Sequence, residues 1–204
     1  MSRSVSAQTG KNQLNQDMQG LRDSLGALPE PVVGPGFVVV SGLPGTGKSH
    51  FCRRLAERAP FCILESDALR KVLFGSPSHS LEESARLFAA CHALIELFLF
   101  DGIPIIFDAT NLSEYHREHL YAIGDRTKAK LLLVRVEAPS ELIYERLKAR
   151  NSGMARPDDK SDADWKVYSR MKPKSEKIRR NHLVVDTSRD IMPVIDKIIR
   201  MINH

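Results

Sequence analysis

Three cysteines in 204 residues, Cys52, Cys62 and Cys91, show no CxxC spacing and cannot all pair with one another. That scarcity excludes a disulfide-stapled secreted scaffold and fits a reducing compartment, with at least one thiol serving as a small apolar filler. Long apolar runs are also missing. The longest, Ala93 to Phe107, is broken by Glu96, Asp101, Gly102 and Pro104, whereas a helical membrane span needs about 20 mostly apolar residues. Met1 to Gly10 is polar, so no signal peptide is expected at this end, and the expectation is a cytoplasmic protein with no membrane partner. The seven histidines lack metal-ligand spacing; His116 and His119, three apart, read as surface residues of a helix.

What is present belongs to an ordinary globular chain: 42% hydrophobic and 27% charged residues, with a net charge of +5. The basic balance favours anionic partners such as nucleotides, phosphosugars or nucleic acid without choosing among them. Residues 1–36 differ from the rest. Leu14, Met18, Leu21, Leu25 and Leu28 form a helical stripe, followed by the breakers Pro29, Pro31, Gly34, Pro35 and Gly36. This segment is either a helix lying on the main domain or one that engages a partner.

From Phe37 to the end the pattern is strand, turn, helix, repeated, which predicts an α/β domain over residues 37–204. Strands are expected at Phe37–Val40, Phe61–Leu64, Ile103–Phe107, Ala129–Val136 and Leu183–Val185. Helices are expected at Lys48–Arg58, Ala68–Phe74, Ser113–Arg126 and Pro139–Arg150, from a Ser80/Glu83 capping box to Phe100, and from about Asp162 and Asp190. Such alternation implies a five-stranded parallel sheet with helices on both faces and right-handed crossovers. Ligands of such sheets bind beyond the carboxyl ends of the strands.

Directly after the first strand stands Gly42-Leu43-Pro44-Gly45-Thr46-Gly47-Lys48-Ser49, a GxxxxGK[ST] phosphate-binding loop, and a helix follows at once. The glycines allow the backbone to wrap so that successive amides point at phosphate oxygens, and the helix N-terminus adds partial positive charge. Lys48 reaches the β- and γ-phosphates and Ser49 ligates Mg²⁺. Gly42, Pro44, Gly45, Thr46, Gly47, Lys48, Ser49 and the adjacent His50 form the expected ATP-binding set. A strand-to-helix turn that binds nothing would leave the Lys-Ser pair unexplained. No Asn-Lys-x-Asp element for guanine follows a later strand. The third strand ends Ile106-Phe107-Asp108-Ala109, without the Asp-Glu pair of hydrolytic ATPases. Transfer to a hydroxyl is favoured over hydrolysis.

The second strand runs into Glu65-Ser66-Asp67, with Arg70 three residues on and on the same helix face. Asp67 there can orient an acceptor hydroxyl and take its proton, or it can cap the helix, and the two roles are compatible. Arg70 offers a planar fork to the transferring phosphoryl group or to an acceptor phosphate.

Together Gly42 to Ser49, Ser66-Asp67-Ala68-Leu69-Arg70 and Asp108-Ala109-Thr110-Asn111-Leu112 resemble the polynucleotide-kinase-like group of P-loop kinases, relatives of chloramphenicol phosphotransferases and zeta toxins. The resemblance spans about residues 37 to 190. It implies an adenylate-kinase-like sheet, a small lid over ATP at about residues 150–160, Asp67 as general base and Arg70 beside it. It also implies that Asp108 supports Mg²⁺, directly or through water, or orients Arg70; the other reading of Asp108 is a cap on the next turn through Asn111. Thr110 and Asn111 are expected to shape the site, and Arg117 to face it or solvent. Among the lid arginines, Arg150 aligns best with the family's phosphate contact and Arg156 follows, while Arg146 is expected on the helix surface. Asp186-Thr187-Ser188 falls where family members form an adenine-side loop.

Lys172, Lys174, Lys177, Arg179 and Arg180 make a basic cluster, read either as a solvated helix face or as a track for a nucleic-acid backbone; Trp165 and Tyr168 are the aromatic residues near it. The expected activity is ATP- and Mg²⁺-dependent transfer of the γ-phosphate to a hydroxyl-bearing substrate, with a polynucleotide 5′-hydroxyl first among acceptors. Alternatives are a small-molecule phosphotransferase acting on an antibiotic, nucleoside or sugar, and a nucleotide-sensing module with little catalysis.

Overall fold

Val38, Val39 and Val40 alternate between two cores, and that alternation organises the molecule. The computed structural model describes residues 2–150 and 163–203. Its sheet comprises β1 (Gly36–Ser41), β2 (Cys62–Glu65), β3 (Ile105–Asp108), β4 (Lys130–Glu137) and β5 (Leu183–Asp186). The order is β2-β3-β1-β4-β5 and every pairing is parallel. β1 lies at the centre and all its residues are buried, as an unbroken apolar strand covered on both faces should be.

Eight helices are described: α1 (Ser2–Asp23), α2 (Lys48–Ala56), α3 (Ser66–Phe74), α4 (Leu81–Phe100), α5 (Glu114–Thr127), α6 (Ser140–Ala149), α7 (Trp165–Met171) and α8 (Met192–Asn203). On one face Phe37 and Val39 meet Leu21, Leu94, Phe98, Leu120 and Tyr121 from α1, α4 and α5. On the other, Val38 and Val40 meet Phe51, Leu55, Ile195 and Ile198 from α2 and α8. A third cluster, Ile143, Leu147 and Tyr168, packs with Leu43 above the sheet's carboxyl edge. No described helix is long and apolar enough to cross a membrane. All three cysteines are buried and unpaired, and burial pushes the Cys62 and Cys91 thiols up to about 11 and about 12, as fits inert fillers.

Several sequence expectations shift. β3 begins at Ile105 rather than Ile103, because Pro104 has no N–H to give a ladder and its carbonyl instead accepts from Cys62 N at 2.9 Å. Only half of the capping box forms. Ser80 Oγ accepts from Glu83 N at 3.1 Å, but the Glu83 carboxylate turns to the amides of Ser78 and His79. The amino-terminal stripe lies on the domain, with Leu21 fully buried and Leu14, Met18, Leu25 and Leu28 packed on the same core, the last two beyond the helix end.

The basic stretch is not a helix face. After a single 3-10 turn at Lys172–Lys174 it becomes an irregular strap. Glu176 N donates to Leu112 O at 2.9 Å, and the Glu176 carboxylate accepts from Glu114 N at 2.6 Å, supplying the helix α5 cap that Ser113 does not. Arg117 faces neither the site nor solvent. It is 1% exposed, paired with Glu114, and its guanidinium donates to the carbonyls of Asn111, Glu176 and Lys177. The strap is therefore sewn to α5 by a buried arginine.

Candidate active site

The loop between β1 and α2 crosses the carboxyl edge of the sheet, and its shape follows from two glycines. At Gly42 a Cβ would stand 2.4 Å from the Val136 carbonyl of β4, so no larger residue lets the chain leave β1 there. Gly47 holds a φ of 90° at the N-cap of α2, in the left-handed region that L-residues avoid. Gly42 N donates to Thr110 O at 3.0 Å, which ties the loop to the segment after β3. Thr46 Oγ1 and Lys48 Nζ both donate to Leu43 O, at 2.8 and 3.1 Å, so the lysine arches back over its own loop. Pro44 and Thr46 are buried, Gly45 and Ser49 half-buried, and His50 is exposed on the first turn of α2.

A second bracing comes from far along the chain. Thr187, just after β5, donates to Thr46 O at 2.6 Å. Arg146 on α6 donates to Thr187 Oγ1 at 2.8 Å, to Thr187 O at 3.1 Å and to Gly45 O at 3.4 Å. The expectation of a surface role for Arg146 was therefore wrong. Ile143 and Leu147, one turn apart, point at Gly45, and Arg146 lies beside that stripe; the apolar spacing was the signal that would have found it. Arg150, one turn later, donates to Ala163 O at 3.4 Å. Arg156 and residues 151–160 of the expected lid lie outside the described residues.

The metal position is assembled by strand register. Asp108 ends β3 opposite Val40 of β1 and Glu65 of β2, so the end of β3 faces the loop on one side and Glu65 on the other. Asp108 is 2% exposed, lines a cavity together with Ser49, and its Oδ2 has no hydrogen-bond partner. Burial pushes its carboxyl up from the usual range and the Asp67 charge adds to this, while the nearby Lys48 ammonium and Ser49 hydroxyl oppose it. A buried carboxylate oxygen left over beside a serine hydroxyl fits a hard cation that keeps some of its waters, as Mg²⁺ does. Among the described residues no group of three His, Cys, Asp or Glu side chains could hold a metal alone. Ser49 and Asp108 would share Mg²⁺ with phosphate oxygens. Asn111 does not cap through Asp108; its amide donates to Val40 O at 2.7 Å and shapes the turn beside the loop. Glu65, to which the sequence assigned no role, lines a cavity of about 300 Å³ together with Ser49, Arg53 and Asp108.

On the acceptor side Asp67 sits inside α3, whose N-cap is Glu65, so capping does not occupy it. Arg70 is 7% exposed and turns toward α4, where Nη2 donates to Ser84 Oγ at 3.2 Å and Nη1 lies 3.6 Å from Glu83 Oε2. Nη1 makes no hydrogen bond to the protein. A further cavity of about 390 Å³ opens at the loop's outer rim between Gly42, Leu43 and Thr46, α7's Tyr168 and the strap residues Lys172 and Lys177.

Fold and site together define a P-loop nucleotide-binding domain with the adenylate-kinase strand order. The chain belongs to the AAA_33 family, described as an AAA domain, whose model matches residues 37–178. It is 31% identical over 124 residues to the Drosophila melanogaster adenylate kinase isoenzyme 6 homolog, an alignment covering 60% of this chain and 65% of that protein's length. The Chaetomium thermophilum Kti12 structure, in complex with ADP-AlF3, superposes with a TM-score of 0.64 at 20% identity, covering 81% of this chain and 98% of that one. The Mycobacterium tuberculosis APS kinase CysC, in complex with AMPPNP and APS, does so with a TM-score of 0.60 at 19% identity, covering 86% and 100%. At those identities the two structures establish the fold.

Proposed function

We propose that this chain is a P-loop kinase that moves the γ-phosphoryl group of ATP onto a hydroxyl, with the 5′-hydroxyl of a polynucleotide as the leading acceptor. One observation carries the reading: the buried Asp108 at the mouth of the glycine loop, which lines one cavity with Ser49 and has one oxygen left without a partner. The loop amides and Lys48 receive the phosphates, and Ser49 and Asp108 would hold Mg²⁺, which would supply positive charge to offset that of the phosphates. Asp67, close enough to Asp108 for its charge to be felt there, takes the acceptor's proton as the new O–P bond forms. The bond from Pγ to the bridging oxygen breaks and ADP leaves. Arg70, whose Nη1 has an unused donor in a buried place, meets the acceptor or the transferring group. Arg146 supports the cradle from behind, and Arg150 with Arg156 are assigned to the lid.

The likeness to a protein named adenylate kinase isoenzyme 6 homolog supports phosphoryl transfer from a nucleotide. The cavity of about 390 Å³ beside the loop favours a second reading, a small-molecule hydroxyl, since it suits a nucleoside or sugar. Radiolabelled γ-phosphate transfer to panels of oligonucleotides, nucleosides and metabolites separates the two. Asp67→Asn should retain ATP affinity while turnover falls about a hundredfold or more. Retained turnover would remove Asp67 from the base role. Absence of transfer to every hydroxyl, with ATP still bound, would favour a nucleotide-sensing module.

A further inference from the structure

The family match begins at Phe37, so α1 and the segment after it lie outside the matched region. Yet α1 is bound to the acceptor side of the site. Asp17, 5% exposed, accepts from Arg86 Nε and Nη2 of α4, both at 2.6 Å, a bidentate pair, and a third hydrogen bond at 2.9 Å comes from Gln13. The guanidinium of Arg86 also lies 5.3 Å from the ring centroid of Phe74, the last residue of α3. One arginine thus touches α1 and α3 while belonging to α4. Three and two residues before it on α4 stand Glu83 and Ser84, the two residues that hold Arg70. Leu21 of α1 adds a fully buried contact to the same core.

We propose that Asp17 and Arg86 are positioning residues: their ion pair fixes α1 against α4 and aims the Arg86 guanidinium at Phe74 of α3, and so holds Arg70 where its Nη1, which has no hydrogen bond, can turn to an acceptor. The inference rests on the kinase reading for the role of Arg70, but the mechanical link does not. A planar bidentate pair fixes orientation as well as distance, which a lysine or a monodentate contact would not. Without it α1 keeps its apolar contacts but loses the contact that sets the angle of α4, and the N-terminal turns of α4 lose their register with α3.

The test uses the full chain with Asp17→Asn and Arg86→Gln, and Asp17→Glu as the conservative variant. Hydrogen exchange of the amides of residues 66–74 should speed up by roughly tenfold in the first two, while residues 48–56 keep their rates. KM for a 5′-hydroxyl oligonucleotide should rise by roughly tenfold with ATP affinity unchanged by calorimetry, and Asp17→Glu should recover much of both losses. Unchanged exchange at residues 66–74 would overturn the proposal. So would equal acceleration at residues 48–56, which means general loosening. If the wild-type chain phosphorylates no oligonucleotide, the acceptor assignment fails, and the exchange rates still decide the link.

Discussion

At the carboxyl end of β1 the phosphate cradle comes from one unbroken stretch, Gly42 to Ser49. At the carboxyl end of β2 the acceptor side is assembled from α1, α3 and α4 by side chains that reach between elements. The cradle's geometry lies in its backbone: a glycine that can approach Val136 O, another at a φ of 90°, and amides oriented by the strand-to-helix turn. The acceptor side and the frame around it depend on guanidinium groups: Arg70 on Ser84 and Glu83 and Arg86 on Asp17 at the acceptor side, and Arg117 on Glu114 and the strap in the frame. Loss of a cradle residue should therefore remove chemistry while the fold survives. Loss of an arginine from the frame should cost stability or geometry first.

The largest effect is expected from Lys48→Ala. The lysine bonds only to its own loop's Leu43 carbonyl among the described contacts, so melting temperature should hardly move while transfer falls about a thousandfold, read by labelled γ-phosphate. Arg117→Ala should do the reverse. It strands a buried Glu114 and leaves the Asn111, Glu176 and Lys177 carbonyls without their donor, at a cost of about 3 kcal/mol by denaturant unfolding. If Arg117→Ala proved neutral in stability, the contrast between the two regions would not hold.

Acid should separate the regions too. Burial, with the charges of His119 and His116, lowers His92 to about 4, in the packing between α4 and α5 beneath Phe107. The unfolded chain, with an ordinary histidine, binds a proton more readily between about pH 6.5 and 4, so stability is full above that window and lost as pH falls through it. A loss on the order of 2 kcal/mol is expected between pH 7 and pH 4, and His92→Gln should flatten the curve. Asp17 behaves similarly at lower pH. Arg86 holds its carboxyl below the ordinary range, so its contribution is present at neutral pH and disappears only under about pH 4. The smallest effect, and the one that blurs the comparison, is Arg146→Met. It loosens the cradle through a tertiary contact, and ATP affinity should drop by about tenfold with little change in melting temperature.

The same division explains what could be read from the sequence. The five strands and the P-loop were legible because each is written in neighbouring residues, as apolar runs or as glycines at set intervals. Their ends moved by a residue or two, as at Pro104, where one missing donor decides. Arg146 was misread because its partner Thr187 lies 41 residues away; the Ile143 and Leu147 stripe beside it marks an inward face of the helix but names no partner. Arg117 and Glu176 were equally hidden; their pairing converts what looked like a basic helix into a strap. Glu65 stood in plain view before Asp67, but only the pairing of β2 with β3 sets it opposite Asp108.

Titration calorimetry of the full chain with ATP and Mg²⁺, beside Lys48→Ala and Asp108→Asn, tests the cradle most directly. Binding in the micromolar range that needs magnesium, that Lys48→Ala abolishes and that Asp108→Asn frees from its magnesium dependence is the expected result. A wild-type chain that takes up no nucleoside triphosphate, with or without the metal, would contradict it.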